Sequence, residues 1–312
     1  MRLGDRSSGW LGAVGALIGG GIGTLLMAVP ALAGYGRGDP YEFGLQDPVT
    51  PVAHDVIWFN AMVFWMMVAI TLFVMALLLI VMVRFNSKAN PTPSHVHHNT
   101  LLEVAWTVIP IAVLVFIAIP SFRLLYNQYS YPKPDLTIKA TGNQWYWSYE
   151  YAGVKDVAFD SYMLKDDETK ALRDKGVDAP RLLSVDNEIV VPVNKVVHVL
   201  VTSKDVIHSW VILSFGVRTD GVPGRVSSTW FKAERPGVYY GVCSELCGKD
   251  HAFMPIAVRV VSDDVYAKWV AIRQGGGKDM DQKARDMIRA SLERPNAAVA
   301  SAAAVDTTIK TP

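Results

Sequence analysis

The sequence of 312 residues has little charge for its length. Charged residues make up 19% of the chain, against about 25% in an average soluble domain. Hydrophobic residues make up 51%, and the mean hydropathy is +0.22. This balance indicates a membrane protein with a sizeable water-soluble part. It also excludes a disordered chain, and 17 prolines are too few for a collagen-like one.

The chain also lacks an excess of either charge. Its 30 Lys and Arg nearly balance its 29 Asp and Glu. Binding to nucleic acid needs surplus positive charge to neutralise phosphates, so we expect no nucleic acid among the partners. Cysteine is scarce, with only Cys243 and Cys247, which excludes a disulfide-rich scaffold. Because three residues separate them, they form either one bridge or one shared site.

Residues 1–33 have the features of a secretory signal peptide. Two arginines precede an apolar, glycine-rich run, and Ala31-Leu32-Ala33 matches the small-x-small pattern of a cleavage site. The alternative is an uncleaved membrane helix, but the glycines within the run and Pro30 at its end disfavour a helix. We therefore expect 1–33 to be removed, which leaves 34–55 as an N-terminal segment on the exterior side.

Two long uncharged runs follow. The first covers the 28 residues between Asp55 and Arg84, and the second covers the 19 residues 104–122. Runs of about 20 apolar residues or more are long enough to cross a bilayer. The prolines in the second run do not argue against this, because membrane helices tolerate proline. We therefore predict transmembrane helices over 56–83 and 101–125.

The segment 84–100 between these helices is short and polar, so the two helices should form an antiparallel hairpin. It carries Arg84 and Lys88, whereas 34–55 carries one basic residue, Arg37. Because basic residues are enriched in cytoplasmic loops, we place this turn in the cytoplasm. Everything after the second helix then lies on the exterior side, which agrees with an exported N-terminus.

The chain changes character over 135–265. Segments with alternating or β-branched residues are separated by turn sequences rich in Gly, Pro, Asn and Asp, a pattern that predicts an all-β sandwich or barrel. The predicted strands are 136–140, 189–193, 197–201, 237–241 and 258–260. The remaining segments are expected to be an insertion over 165–180, a short helix over 263–273, and a linker with a disordered tail over 274–312, in which 278–293 can form a helix.

One stretch holds most of the residues that are able to bind a metal. Cys243, Cys247, His251 and Met254 fall within 12 residues, between two predicted strands. Thiolate and thioether are soft ligands and imidazole is borderline, a combination that suits copper. His208 follows another predicted strand, and a loop at that position can lie beside this stretch in a sandwich.

Ligand chemistry alone leaves four interpretations open. A disulfide between the cysteines explains the thiols but not the nearby His251 and Met254. A zinc site of two cysteines and two histidines leaves Met254 unused. A mononuclear blue copper site leaves the second thiol over, whereas a binuclear copper site uses all five side chains.

In its combined motifs, the sequence resembles subunit II of haem-copper cytochrome c oxidase. The spacing Cys243-x-Glu245-x-Cys247-x3-His251-x2-Met254 is similar to the copper motif of this family. A similar motif occurs in nitrous oxide reductase, but the membrane hairpin favours the oxidase. The resemblance covers about 45–270 and implies a membrane-anchored chain in which a two-helix hairpin precedes a cupredoxin-like Greek-key sandwich. Further stretches that carry it are 103–110, 144–151, 159–162 and 219–225.

The resemblance implies a binuclear copper A centre that holds two copper ions. Its implied ligands are the side chains of His208, Cys243, Cys247, His251 and Met254, and the backbone carbonyl of Glu245. The side chain of Glu245 is implied to reach a magnesium ion that is shared with the catalytic subunit. Haem is implied only in that partner subunit.

Trp145 and Glu103 receive roles only from the resemblance. Trp145 matches an exposed tryptophan that accepts the electron from docked cytochrome c. Alternation along a strand would place it on one face with Trp147, Tyr149 and Tyr151, where packing alone explains most of these aromatic residues. Glu103 matches a position at the mouth of a proton-uptake path into the catalytic subunit, although a carboxylate at the start of a membrane helix is commonly just interfacial.

The region 135–265 is mildly acidic, with 15 Lys and Arg against 18 Asp and Glu. An acidic exterior surface attracts a basic partner at low salt, which agrees with cytochrome c as the implied electron donor. Each carboxylate on it is also compatible with an ordinary solvated group. The carboxylates expected on this surface are Glu150, Asp156, Asp160, Asp186 and Asp205.

The implied function is that of the subunit through which electrons enter a respiratory oxidase. Electrons pass from cytochrome c through this chain to haem in subunit I, where oxygen is reduced to water and protons are pumped, and subunit III is a further expected partner. The expected location is the inner membrane of a bacterium, with the copper domain in the periplasm. Two rivals are a quinol oxidase subunit, which the full ligand set disfavours, and a membrane-anchored copper-binding or copper-delivery protein.

Overall fold

The computed structural model of the chain describes residues 36–38, 41–92, 94–155, 157–275 and 279–292. Within them, the chain runs from a helical hairpin into a β region and ends in two short helices. The predicted signal peptide over 1–33, the candidate docking residue Asp156 and the end of the predicted tail, 293–312, lie outside the described residues.

Two long helices, α1 (Pro51–Arg84) and α2 (Thr100–Tyr129), form the expected hairpin. Each contains a stretch that is long and apolar enough to cross a membrane, with mean hydropathy of 3.0 in α1 and 2.4 in α2. None of either stretch is buried inside the chain, so both present apolar surface outward. The two internal prolines of α2 do not end it. The chain is therefore anchored in a membrane by this hairpin.

Polar caps make both helices longer than the predicted spans 56–83 and 101–125. The Thr50 side chain accepts a hydrogen bond from the backbone of Ala53, and a proline follows it at the first helical position, where its missing N–H costs nothing. The Asn99 side chain caps α2 in the same way. These caps lie outside the uncharged runs, which is why hydropathy alone places the helix ends too far inward.

The β region forms two five-stranded sheets. Its strands are β1 (Leu136–Asn143), β2 (Tyr146–Ala152), β3 (Ala158–Ser161), β4 (Ile189–Pro192), β5 (Val196–Ser203), β6 (His208–Ile212), β7 (Val217–Gly221), β8 (Ser227–Lys232), β9 (Gly237–Cys243) and β10 (Ile256–Val261). One sheet has the order β3-β2-β1-β5-β8 and the other has the order β4-β10-β9-β6-β7. Neighbours are antiparallel except in the β1–β5 and β10–β4 pairs, which are parallel. The predicted sandwich is confirmed.

Large side chains from both sheets meet in one core. Trp147 and Tyr149 of β2 and Phe231 of β8 contribute from the first sheet, and Trp210 of β6 and Tyr239 of β9 contribute from the second. Each of these side chains is at most 1% exposed. Burial of a side chain as large as Phe stabilises a fold by about 1.5–3 kcal/mol. The core thus gives the loops at the strand ends a rigid support.

Three short helices lie outside the sheets: α3 (Asp166–Arg173), α4 (Asp263–Gln274) and α5 (Met280–Leu292). The first lies in the expected insertion, and the second is the expected short helix. The expected linker and tail over 274–312 needs correction at α5, because this helix packs on the sandwich. Its Ala284 and Ile288, one helical turn apart, are at most 3% exposed in the main core.

Hydrogen bonds fix the β region to the end of the hairpin at which α1 begins and α2 ends. The Thr50 hydroxyl donates to the carbonyl of Phe215 at 2.7 Å. The Trp230 indole N–H of β8 donates to the carbonyl of Gln128 at 3.2 Å, near the end of α2. Because each helix carries one of these contacts, the β region is held against both helices.

We predict that Gly241→Ala destabilises the β region. An added Cβ would lie 2.1 Å from the Val211 carbonyl oxygen, so β9 could no longer approach β6 this closely. Overpacking of a core costs about 1–3 kcal/mol, and we expect a melting temperature lower by several degrees for the detergent-solubilised chain. Gly275→Ala is the matched control, because its added Cβ meets nothing nearer than 3.4 Å. Equal melting temperatures for the two variants would contradict the prediction.

Candidate metal centre

The loop between β9 and β10 carries the candidate ligands. Cys243 is the last residue of β9, and Met254 precedes the first residue of β10 by two positions. Because β9 and β10 are antiparallel neighbours, both ends of this loop are anchored in one sheet. Between them lies Cys247, and His251 begins a single 3-10 turn. The strands therefore fold a 12-residue stretch back on itself, with its side chains converging.

His208 reaches this loop from a strand and not from the expected loop. It is the first residue of β6, which pairs with β9 so that Trp210 lies opposite Cys243. The His208 Nδ1 atom lies 3.8 Å from the Cys243 sulfur. The expectation that His208 and the cysteine stretch meet is correct, but the strand register brings them together. Gly142 leaves room for the imidazole ring, because a Cβ there would lie 2.6 Å from it.

The five side chains that were predicted as ligands lie in one cluster. The Cys243 and Cys247 sulfurs are 3.9 Å apart. Cys247 Sγ lies 3.4 Å from His251 Nδ1 and 3.5 Å from the Met254 sulfur. Atoms that bind one metal tetrahedrally at about 2.0–2.3 Å are separated by roughly 3.3–3.8 Å, so these spacings suit shared metal ligands.

One imidazole lies against each thiol, which divides the cluster into two halves. His208 contacts Cys243, and His251 contacts Cys247. The backbone carbonyl oxygen of Glu245 lies 3.4 Å from Cys243 Sγ. Both cysteines are free and buried, so the disulfide interpretation is not the arrangement in this structure.

The two thiols differ in how readily they lose their protons. Burial would raise the pKa of Cys243, but the adjacent His208 ring and a hydrogen bond from the Ser209 N–H favour the thiolate and lower the pKa to about 7. Burial and the neighbouring Cys243 sulfur raise the pKa of Cys247 to about 12. Two adjacent negative sulfurs repel each other, and a cation between them removes this repulsion. The pair is therefore suited to hold positive charge.

Apolar and aromatic groups pack against one side of the cluster. Trp147 is fully buried, its ring stands edge-on to the His208 ring at 5.9 Å, and its indole N–H donates to the Met254 carbonyl at 3.3 Å. Met254 itself is 2% exposed. Low polarity and few mobile water molecules are the conditions under which surrounding groups tune a bound metal.

Trp145 lies beside the cluster, in the turn between β1 and β2. It is half-buried, and its indole N–H donates to the Cys247 carbonyl at 3.2 Å. The Lys249 ammonium lies 5.5 Å from the centre of its ring. The expected aromatic stripe needs correction, because β2 begins only at Tyr146 and Trp145 belongs to the turn. Packing explains the other three aromatic residues, which are buried in the core.

The acidic residues that were expected to form a docking surface have different environments. Glu150 is exposed and pairs with a lysine on β1 at 3.0 Å. Asp160 is exposed and accepts a hydrogen bond from the Ser148 hydroxyl. Asp186 is half-buried, and burial raises its pKa. The Asp205 carboxylate faces the cluster of candidate ligands and accepts a hydrogen bond from His208 at 2.9 Å.

The side chain of Glu245 lies on the outside of the loop. Its carboxylate lies 3.8 Å from the Arg218 guanidinium and is 44% exposed. A single carboxylate with a cation beside it does not make a magnesium site, which needs several oxygen ligands. Within the described part of the chain, a magnesium ion at Glu245 therefore depends on ligands from a partner.

Glu103 is remote from the cluster. It lies in the first turn of α2, and its carboxylate accepts a hydrogen bond from the Asn99 N–H at 3.3 Å. A helix of 30 residues is about 45 Å long, so Glu103 and the β region lie at opposite ends of α2. This contact completes the helix cap and gives Glu103 a structural role of its own.

Comparison with known proteins decides the family. Residues 38–124 match the family model described as cytochrome C oxidase subunit II, transmembrane domain, and residues 136–261 match its periplasmic domain. The chain belongs to the cytochrome c oxidase subunit II family. It is therefore a subunit of a haem-copper oxidoreductase, as the motifs predict. The His208, Cys243 and Cys247 cluster is compatible with a copper site in this family.

Individual relatives cover most of the chain. A protein of Rickettsia bellii described as "Probable cytochrome c oxidase subunit 2" is 47% identical over 232 residues, which are 74% of this chain and 84% of the relative. The cytochrome c oxidase subunit 2 of Cereibacter sphaeroides is 44% identical over 253 residues, 77% of this chain and 83% of the relative. The crystal structure of the periplasmic domain of subunit II from Bradyrhizobium japonicum is 56% identical, with a TM-score of 0.42, and covers 46% of this chain and 96% of that one.

Proposed function

We propose that this chain is the subunit through which electrons enter a respiratory cytochrome c oxidase, and that it holds two copper ions. One observation carries the proposal. Two buried, free thiols lie 3.9 Å apart, and an imidazole lies against each of them. Soft sulfur ligands with imidazole suit copper, and these side chains would hold it here.

The donor set favours two coppers over the other metal sites. A zinc site would use the cysteines and histidines and leave Met254 without a purpose, yet its sulfur lies buried 3.5 Å from Cys247. A mononuclear copper site would leave one thiol over. In the proposed centre, both thiols and both histidines would hold the copper pair, with the Met254 thioether and the Glu245 carbonyl as weak ligands.

The protein's own part is to fix these ligands and to bring electrons to them. A copper pair, when bound, supplies one-electron redox chemistry, with the charge change spread over two metals and their sulfurs. The strand ends hold the ligands in place, and Trp147 excludes water. Trp145 offers an aromatic ring at the surface, and its N–H contacts the carbonyl of the ligand Cys247. We assign Trp145 the role of accepting the electron.

The partners and location extend this proposal. The donor is cytochrome c, attracted by the acidic surface that includes Glu150, Asp160 and Asp186. The acceptor is haem in subunit I, where oxygen is reduced to water and protons are pumped, and subunit III completes the assembly. The chain lies in a bacterial inner membrane, with 1–33 removed and the β region in the periplasm.

Two further roles belong to the same proposal. The Glu245 side chain contributes one ligand to a magnesium ion at the boundary with the catalytic subunit. Glu103 stands at the mouth of a proton-uptake path in that subunit, on the cytoplasmic side. Glu103 lies at the start of α2, far from the candidate metal centre, and this position supports its placement on the cytoplasmic side.

The decisive experiment measures metals in the full chain. The detergent-solubilised chain, with its thiols reduced, should bind two coppers. In the oxidised form of the centre, its paramagnetic resonance spectrum should show one unpaired electron shared by two copper nuclei. His251→Asn should lose this spectrum, whereas His97→Asn, at an exposed histidine between α1 and α2, should keep it. Binding of one zinc and no copper would overturn the assignment.

Replacement of Trp145 tests electron transfer apart from metal binding. Trp145→Gln should slow oxidation of cytochrome c by about tenfold or more, equivalent to about 1.4 kcal/mol in the barrier, with the copper spectrum unchanged. Trp145→Phe keeps an aromatic ring but loses the N–H contact to Cys247. Its rate should therefore lie between that of the unaltered chain and that of Trp145→Gln. If stopped-flow rates are the same for all three chains, Trp145 serves only in packing.

Replacement of Met254 tests the weak ligand. Met254→Leu conserves volume and should cost less than about 1.5 kcal/mol in stability, so copper should be retained. Its reduction potential should rise, because loss of a donor destabilises the more highly charged oxidised state. Met163→Leu, at a half-buried methionine outside the cluster, is the control. An unaltered potential in spectroelectrochemical titration would remove Met254 from the centre.

A further inference from the structure

Among the described residues of the expected docking set, Asp205 is the one whose carboxylate contacts the cluster of candidate ligands. Its side chain is 31% exposed, yet both of its oxygens accept hydrogen bonds from other residues. Oδ1 lies 2.9 Å from Nε2 of His208, which is fully buried. Oδ2 accepts the backbone N–H of Gln144 at 2.7 Å. The carboxylate thus binds a candidate copper ligand and the β1–β2 turn at the same time.

The β1–β2 turn is bound to the cluster a second time. The Gln144 side-chain amide donates to the Cys247 carbonyl at 2.8 Å, and the same carbonyl accepts the Trp145 indole N–H. Gly248 lets the turn lie this close, because a Cβ there would meet the Trp145 ring at 2.9 Å. Together with the Asp205 contacts, these bonds tie the turn both to His208 and to the cysteine loop.

The contact between Asp205 and His208 also selects the ring atom that is free to bind a metal. A neutral imidazole carries one proton, and a carboxylate that accepts from Nε2 keeps the proton on that nitrogen. Nδ1, which faces Cys243, is then unprotonated and available as a ligand. Metal-binding histidines generally need such a partner to fix their tautomer and ring orientation, and its loss typically costs 10–100-fold in metal affinity.

We propose that Asp205 is a positioning residue that holds His208 and the turn carrying Trp145 in one fixed arrangement. The inference rests on the proposed copper centre. In this role, Asp205 acts through two hydrogen bonds at once, one to the ligand and one to the turn at which the electron arrives. This role differs from that of the other acidic surface residues, which act on a docked partner through their charge alone.

The test compares two carboxylates in the assembled oxidase. Asp205→Asn removes one charge and puts an NH2 group, which cannot accept a hydrogen bond, in place of one carboxylate oxygen. The variant therefore loses either the bond from Gln144 or the bond from His208. Asp160→Asn removes one charge from an exposed carboxylate whose side chain bonds a surface serine. Both variants should raise the KM for cytochrome c, with an effect that declines as salt is added. Only Asp205→Asn should also change the copper spectrum and lose copper to a chelator about 10–100-fold more readily.

A second readout does not depend on copper. In the metal-free chain labelled with 15N-histidine, His208 should carry its proton on Nε2, and Asp205→Ala should abolish this preference while the melting temperature shows that the chain is folded. An unchanged tautomer, or a copper spectrum and retention equal to those of Asp160→Asn, would overturn the role of Asp205. Failure of the unaltered chain to bind two coppers would overturn the proposed function instead, and the tautomer would still report on the carboxylate.

Discussion

The separation of 3.9 Å between two buried sulfurs is the constraint on which the rest of the structure depends. Two thiols at this distance in a low-polarity site are unfavourable once both are charged, so a cation must compensate them. In a flexible loop, the two sulfurs could move apart, which would reduce this repulsion. Here the pairing of β9 with β10 anchors both ends of the loop, and the Trp147 indole N–H donates to the Met254 carbonyl, so the loop is held at the end that carries Met254.

Contacts near in sequence could be predicted from spacing, whereas the strand register behind the more distant contact could not. Cys243, Cys247, His251 and Met254 are close in the chain, so their spacing already indicates a shared site. His208 lies 35 residues from Cys243, and its place follows from the β6–β9 register, which no local pattern encodes. Strands with alternating or β-branched residues could be predicted from the same local signal, whereas β6 lay outside the predicted strands.

The differences at the chain ends and at the surface have a common physical cause. The sequence predicts that 278–293 can form a helix but not where this helix packs, whereas Ala284 and Ile288 of α5 lie one turn apart and are buried in the main core. The charge of Asp205 predicts a surface carboxylate, but its oxygens are hydrogen-bonded to a buried imidazole and to a backbone N–H. In both cases the residue contacts a partner that is distant in sequence. The composition or charge of its own segment therefore does not reveal that contact.

The fold also sets the distance between the membrane and the metal centre. His208 stands at one end of β6, and the one-turn helix beyond the other end of this strand bonds to the start of α1 through Phe215. From 208 to 214 an extended chain spans about 20 Å. Because β6 lies between β9 and β7 within a packed sheet, it cannot bend independently of the core. The hairpin and the candidate copper ligands are therefore joined by a short, rigid path. Such a path suits a subunit that must hold a redox centre at a constant position relative to partners in the membrane.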